Sequence, residues 1–320
     1  MAKRRTKGAG TGWNSETRRR FATPAAKLAA SVVVLLSVGL IAAHLAGIAR
    51  LDRRFLVFPA SILDENRPSW LPEEVLGALR ADLQRIEPIS IFAKDFGSRM
   101  SRSLLSASPW IDSVLAVERV FPNRARVELE LRRPVISIDR GPYRFLLDRE
   151  AICLHREDRA SPGLFRRPVL PVVGARPGTE PRLGQRFEDP EVVAAIQVAE
   201  ELKSLDERQS GTLWRIRPVA LEVRRSIQGA VAAPGEVHLR TANGVLVEWG
   251  RAQESAQFGK NDLLPSEKVE HLERILEVFP GLVGLEEARL NFDLPHYRRV
   301  GGPLSFLKGP EPPLETPSDS

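Results

Sequence analysis

Residues Pro109 to Pro134 read PWIDSVLAVERVFPNRARVELELRRP, and their pattern decides the fold of the first half of the chain. Two extended runs flank Phe121-Pro122-Asn123-Arg124, where proline presets the φ of a turn and asparagine tolerates the tight backbone that follows. The second run alternates, with Val127, Leu129 and Leu131 on one side and Glu128, Glu130 and Arg132 on the other. That is the period-two pattern of a half-buried strand. Pro134 removes a backbone donor, which a strand end or a sheet edge tolerates. The stretch reads as a β-hairpin, a surface for docking with nothing that resembles catalytic equipment.

Upstream, Phe55 to Phe58 can form a short strand. Pro72-Glu73-Glu74 opens a helix with proline in its first turn and acids at the positive end of its dipole. Val75, Leu76, Leu79, Leu83 and Ile86 supply the apolar stripe of that helix. Asp95 is placed to cap a second helix, in which Phe96, Met100 and Leu104 recur at helical spacing until Pro109 ends it. Residues 52–134 are therefore expected to form a β-α-α-β-β unit of α+β class, with Trp110 packed over its small core.

Further upstream, Leu28 to Ala49 (LAASVVVLLSVGLIAAHLAGIA) holds no residue of fixed charge. As a helix it would span about 33 Å, against a bilayer hydrocarbon core of about 30 Å. A buried core helix would show a polar face, and a cleaved signal peptide would have a shorter apolar run and a small-residue cleavage site. The junction Ile48-Ala49-Arg50 lacks such a site, so residues 28–49 read as an uncleaved anchor. His44 lies within it and is expected to face the interface or a partner helix.

The segment 1–27 carries eight basic residues and one acid, Glu16, a net +7 that leaves residues 28–320 at −1 within the chain's +6. A nucleic-acid reader needs positive charge on its folded part, and this folded part is nearly neutral. The basic flank places the N-terminus in the cytoplasm and residues beyond Ala49 across the membrane, weakened but not reversed by Arg50, Arg53 and Arg54. Residues 1–23 are expected to be disordered. Cys153 is the only cysteine, so it forms no intrachain disulfide, and its setting Ala151-Ile152-Cys153-Leu154 is that of a core residue.

Beyond Pro134 the signals are mostly β. Val135 to Ile138 and Tyr143 to Leu147 flank a turn at Arg140-Gly141-Pro142, and Pro168 to Val173 is an apolar run at an edge or crossing. Asp189-Pro190-Glu191 starts a helix reaching Leu205, and Val219 to Val223 is a strand. Val237 to Trp249 is a hairpin about Asn243-Gly244. Ser266 to Phe279 is an amphipathic helix, Ala288 to Leu294 a last strand, and residues 301–320 a flexible tail. The expected β-rich domain with flanking helices thus covers residues 135–300.

Catalytic and metal motifs are missing from the sequence. His271 in VEHLER lacks the second histidine of a helical zinc site, and there is no G-x-S-x-G elbow, phosphate-binding glycine loop or S-x-x-K motif. The adjacent pairs Glu73-Glu74 and Glu286-Glu287 are most simply solvated. No enzymatic activity, cofactor or small-molecule substrate is expected. Carboxylates from distant segments could still converge into a hydrolytic pair, which leaves a membrane-anchored hydrolase as one alternative.

Pro109-Trp110-Ile111, Val117-Glu118-Arg119, Phe121-Pro122-Asn123 and Arg133-Pro134-Val135, in this order of elements, resemble the FtsQ/DivIB family of bacterial cell-division proteins. Leu147-Asp148, Leu170 to Gly174, Val245 to Gly250, the helix at 266–279 and Arg289 to Leu294 are similar to its second domain. The resemblance implies a short cytoplasmic tail, one membrane span, a POTRA domain and a β domain. It further implies a non-catalytic scaffold at the septum that binds FtsL/FtsB-type coiled-coil proteins and helps control the septal peptidoglycan synthase complex. By resemblance the partner site lies near the end of the β domain. An open strand there could accept an added strand, with Arg289, Asn291, Phe292, Asp293, Tyr297, Arg298 and Arg299 as its residues. The other alternative is a POTRA-bearing secretion or outer-membrane assembly factor that binds unfolded β-strands.

Overall fold

The computed structural model describes residues 24–59, 62, 68–160, 165, 169–175, 179–208, 212–224 and 236–307. The expected disorder of residues 1–23 and of the tail beyond residue 307 lies outside the described residues. The chain begins with helix α1 (Pro24–Leu51). Its segment Leu28–Leu45 has a mean hydropathy of 2.3 with none of it buried, so this helix is long and apolar enough to cross a membrane.

The first unit follows at once. Strand β1 (Leu56–Val57) pairs antiparallel with β2 (Ile89–Ser90), with helix α2 (Glu73–Gln84) between them in sequence. Helix α3 (Phe96–Ala107) then leads to the hairpin of β3 (Ile111–Val120) and β4 (Arg124–Leu131). The order is β-α-β-α-β-β, so the expected β-α-α-β-β string omits β2. Two residues after Pro88 are too few to show a period. The Phe121–Pro122 peptide of the hairpin turn is cis.

The stripes read from the sequence are the faces that pack. Val75, Leu76, Leu79 and Leu83 of α2 and Phe96, Met100 and Leu104 of α3 are buried in one cluster with Trp110, Ile111 and Val127. Pro72 occupies the N-cap position of α2. Asp95 occupies that of α3, but its side chain makes no capping hydrogen bond; Ser98 Oγ donates to its backbone oxygen instead.

The second unit is built on one sheet of ten strands. In chain order these are β5 (Ile136–Arg140), β6 (Tyr143–Leu147), β7 (Cys153–Asp158), β8 (Leu170–Val173), β9 (Pro218–Arg224), β10 (Glu236–Thr241), β11 (Leu246–Gly250), β12 (Leu285–Arg289), β13 (His296–Arg299) and β14 (Leu304–Phe306). Their spatial order is β14-β13-β12-β11-β10-β9-β8-β5-β6-β7. The pairs β5/β8, β8/β9 and β11/β12 are parallel. Parallel neighbours need a crossover. Helix α4 (Pro190–Arg208), with the single turn α5 (Thr212–Arg215), supplies it between β8 and β9, and α6 (Pro265–Val278) supplies it between β11 and β12. Asp189 starts α4 by accepting from Glu191 N at 2.9 Å. Val192, Ile196 and Leu202 of α4 and Val269, Leu272 and Ile275 of α6 are buried with the inward residues of the sheet, Trp249 among them.

One buried charge ties these layers together. Lys268 of α6 is 1% exposed and donates from Nζ to the Arg251 carbonyl at 2.6 Å, with Glu201 Oε1 at 3.8 Å. Glu201 of α4 in turn accepts from Trp249 Nε1 and Gln253 N, both at 2.7 Å. Burial lowers the Lys268 pKa, and Glu201 and Asp262 only partly restore it. A buried ammonium keeps its place because these oxygens replace the water it lost.

Two expectations change at the end of the chain. The strand expected over Ala288 to Leu294 is displaced, because β12 ends at Arg289 and Leu290 is buried just past it. Residues 301–307 are no free tail, since β14 closes the sheet and Leu307 N donates to Pro295 O at 3.0 Å.

Candidate functional site

The site predicted over residues 289–299 is not a sheet edge. Strand β13 is hydrogen-bonded to β12 on one side and to β14 on the other, with Tyr297 opposite both Ala288 and Ser305. The open edge belongs to β14, and among the described residues no strand pairs beyond it.

Register assigns each predicted residue to a face. Ala288 is buried against the helices, so its partner Tyr297 points inward as well, and its ring packs on Phe279 with centroids 4.9 Å apart. Tyr297 is therefore a packing residue. Arg299 lies over the same Phe279 ring at 5.3 Å. The intervening residues point to the opposite face, where charges pair across the strands. Arg289 Nε sits 3.1 Å from Glu248 and 3.0 Å from Glu287, and Arg298 is 3.4 Å from Glu287. Arg240 and Glu222 continue this ladder toward the centre of the sheet. Burial raises the Glu248 pKa, against the hydrogen bond from Asn291 and the charge of Arg289.

Asn291 also has a structural task. Its amide donates to Glu248 Oε1 at 2.9 Å, and it packs on Gly250, whose φ is +82°. A Cβ at Gly250 would lie 3.3 Å from the Asn291 Cβ at a positive φ, so a larger residue there would strain the backbone and press on Asn291. Asp293 is exposed in that connection.

Of the predicted residues, Phe292 belongs to an exposed apolar strip. Its ring meets His296 edge-on at 5.1 Å, and His296 lies 6.1 Å from Phe306, which is 52% exposed. Because Leu307 N bonds back to Pro295, Ser305 also points its backbone groups at β13. Bonding direction alternates along an antiparallel strand, so the N–H and C=O groups of Leu304 and Phe306 point outward. Among the described residues, the edge therefore offers two residues' worth of backbone without a strand partner, beside an aromatic strip. Leu304 and Phe306 were missed because Gly301-Gly302-Pro303 resembles the onset of a tail, although the alternation Leu304, Phe306 was there to be read.

The opposite edge is partly covered. Cys153 of β7 bonds through its N–H to Gln185 O at 3.1 Å and accepts from Gly184 N at 2.8 Å. Leu154 joins the core of the first unit.

Two clefts gather acidic groups. One, of about 470 Å³, lies where the units meet and is lined by Asp112, Asp148 and Arg132. The other, of about 750 Å³, is lined by Glu150, Glu200, Glu201 and Glu254. Arg132 binds Asp148, Asp112 and Glu150, while Glu201 serves the Lys268 network, so most of these carboxylates hold elements together. Among the described residues no group of three His, Cys, Asp or Glu side chains is placed to hold a metal ion. No protein-family model and no curated protein matches the chain.

Proposed function

We propose that this chain is a membrane-anchored adaptor of the bacterial division machinery, of FtsQ/DivIB type. In this reading α1 crosses the inner membrane with its basic N-terminus in the cytoplasm, the first unit is a POTRA domain, and both units work outside the cytoplasm at the septum. The partner segment, from an FtsL/FtsB-type coiled-coil protein, adds a strand to β14. The observation that carries the reading is the end of the ten-stranded sheet: a three-residue strand with outward backbone groups at Leu304 and Phe306, flanked by the exposed Phe292 and Phe306 rings. Strand addition draws affinity from such backbone groups and specificity from the neighbouring side-chain pockets. Aromatic side chains, phenylalanine among them, are enriched at protein interfaces. The adaptor has no chemistry to perform; it brings the septal peptidoglycan synthase complex to the membrane helix that carries it.

A fluorescent fusion of the full chain imaged in dividing cells tests the reading. A band at midcell, with loss of coiled-coil partner capture in Phe306→Pro, is the expected outcome. Uniform membrane fluorescence would overturn it.

A further inference from the structure

We propose that an aromatic cluster at the root of the membrane helix is a lipid-docking face, which seats the first unit on the surface of the membrane that α1 enters. The inference rests on the reading of α1 as a membrane span. It concerns a surface distinct from the β14 edge.

The cluster is built from three separate segments. The Phe55 ring lies 5.0 Å from Phe92 and 5.8 Å from Phe121. Phe121, at the tip of the β3–β4 hairpin, is 70% exposed, and Phe92, just after β2, is 40% exposed. Three phenylalanine rings that meet while two of them remain in water form a patch that no other described residue covers. Exposed, contiguous apolar patches of this kind mark interaction surfaces.

What covers the patch follows from how it is tethered. Asp52 N donates to Ile48 O at 3.1 Å, continuing the hydrogen bonding of α1 past its last residue. Phe55 N then donates to Asp52 O at 3.0 Å, and the turn Arg53–Phe55 is 3-10 helical. Ile91 N bonds to Phe55 O at 2.9 Å, which ties that turn to the residue preceding Phe92. A 3-10 turn rises about 2 Å per residue, so Phe55 stays within about 10 Å of the end of α1. No long linker intervenes. If α1 spans a bilayer, the cluster is held beside the headgroups.

Charge points to the same occupant. Within three residues of these rings stand the exposed Arg53, Arg54, Lys94, Arg119 and Arg124, against Asp52, Asp95 and Glu118. The Asp52 carboxylate accepts from Arg54 N at 2.9 Å, and Arg119 is likewise engaged, donating to the Ala93 carbonyl at 2.8 Å with its guanidinium over Phe96, which leaves Arg53, Arg54, Lys94 and Arg124 to meet headgroups. Apolar rings with exposed cationic residues adjacent in the sequence match a membrane interface that carries anionic headgroups. The hairpin tip would then dip its phenylalanine into the headgroup–acyl boundary while the arginines meet phosphates.

Lipid quenching in nanodiscs tests this with the full chain. A fluorophore is attached to Asn123→Cys at the exposed hairpin tip and, in a second sample, to Val283→Cys, an exposed position in the second unit. The native Cys153 is fully buried and stays unlabelled. The discs hold phosphatidylcholine with or without phosphatidylglycerol, plus a lipid bearing a nitroxide near its headgroup. At least twofold stronger quenching at position 123 than at 283 is expected, rising with phosphatidylglycerol. It should fall to the level of position 283 in Phe92→Ser/Phe121→Ser, whose fold is checked by circular dichroism. Arg124→Glu, an exposed charge reversal, should abolish the rise with phosphatidylglycerol. Equal quenching at the two positions overturns the proposal, as does quenching that survives the double serine change. Shielding of position 123 from aqueous iodide without lipid quenching would mean that a second copy or another chain covers the face, and also overturns it. If the chain does not enter discs, the membrane reading of α1 fails and this face fails with it; entry without a quenching difference removes this face alone.

Discussion

Arg132 Nη1 lies 2.6 Å from Asp148 Oδ2, and this contact joins the last residues of the first unit's hairpin to the turn after β6 in the second. The same guanidinium reaches Asp112 at 2.9 Å and Glu150 at 2.8 Å. Asp148 is 3% exposed at its side chain, and its other oxygen accepts from Glu150 N at 2.9 Å and Ile152 N at 2.7 Å. Burial pulls the Arg132 pKa down, but the hydrogen bonds to Glu150 and Asp148 together with the charges of Asp148 and Asp112 outweigh it, so the pKa lies above its ordinary value. The junction between the units is a shaped ionic contact. A flexible linker would leave these groups in water.

Removing the guanidinium leaves Asp148 buried without its counter-charge. Arg132→Ala is therefore expected to destabilise the chain by about 3 kcal/mol, at the lower end for a broken buried pair because Arg132 retains some exposure. Arg132→Lys should recover only part of this, since an ammonium cannot serve three carboxylates with planar, forked donors. Urea unfolding midpoints of the two variants measure both. An Arg132→Ala midpoint equal to wild type would show that the contact is not what couples the units.

Acid should weaken the same region through His155 of β7, which faces Trp110 across the junction with ring centroids 6.3 Å apart. Burial holds the His155 pKa below its ordinary 6.5. The unfolded chain then binds the proton first, so the histidine's contribution is whole above pH 6.5 and is lost as pH falls from there toward the folded pKa. Glu150, lowered chiefly by its hydrogen bond from Arg132, acts in the same direction below its ordinary 4.5. Glu248, raised by burial, acts oppositely. Comparing wild type with His155→Gln isolates the first effect: the difference in unfolding midpoint between pH 7 and pH 5 should be smaller in the variant.

Two proline substitutions separate the edge from the strand beneath it. Phe306→Pro removes an outward N–H and spares the ladder to β13, so the chain should remain folded and lose partner capture. Tyr297→Pro strikes a strand paired on both sides and a ring packed on Phe279, so it should destabilise the chain by about 3 kcal/mol or more. Thermal unfolding and pull-down of the coiled-coil partner, run on both variants, distinguish the two behaviours. Capture that is unaffected by Phe306→Pro removes β14 from consideration.

Cys153 should be inert. It is fully buried, and burial pushes its thiol up to about 11, opposed only by a backbone hydrogen bond at His155. The thiolate is the reactive form, so an aqueous disulfide reagent at pH 8 should label it only at the rate of unfolding. Prompt labelling of the native chain would show that the β7 region opens independently.

The parts that were legible from the sequence are those whose signal is local. Val127, Leu129 and Leu131 alternate with charged neighbours and form β4; Val269, Leu272 and Ile275 recur at helical spacing and form the buried face of α6. Asn243-Gly244 marks the β10–β11 turn, where Gly244 has a φ of +84°. The apolar composition of residues 28–49 required a helix that water would not favour. In each case neighbouring residues supply the whole pattern.

Sequence could not decide which strand ends the sheet. Arg289, Arg298 and Tyr297 have the composition of interface anchors, yet Glu248 and Glu287 engage the two arginines and Phe279 stacks on the tyrosine. An edge is defined by the absence of a neighbour, and β14 denies that status to β13 with three residues that follow Gly301-Gly302-Pro303. The sequence by itself determined the long helices, the β3–β4, β5–β6 and β10–β11 hairpins and the span of apolar residues, because backbone propensity and side-chain period act over a few residues. Only the tertiary structure decided the free edge, the Arg132 junction and the ring cluster at Phe55, because each depends on groups that meet only after the chain has closed on itself.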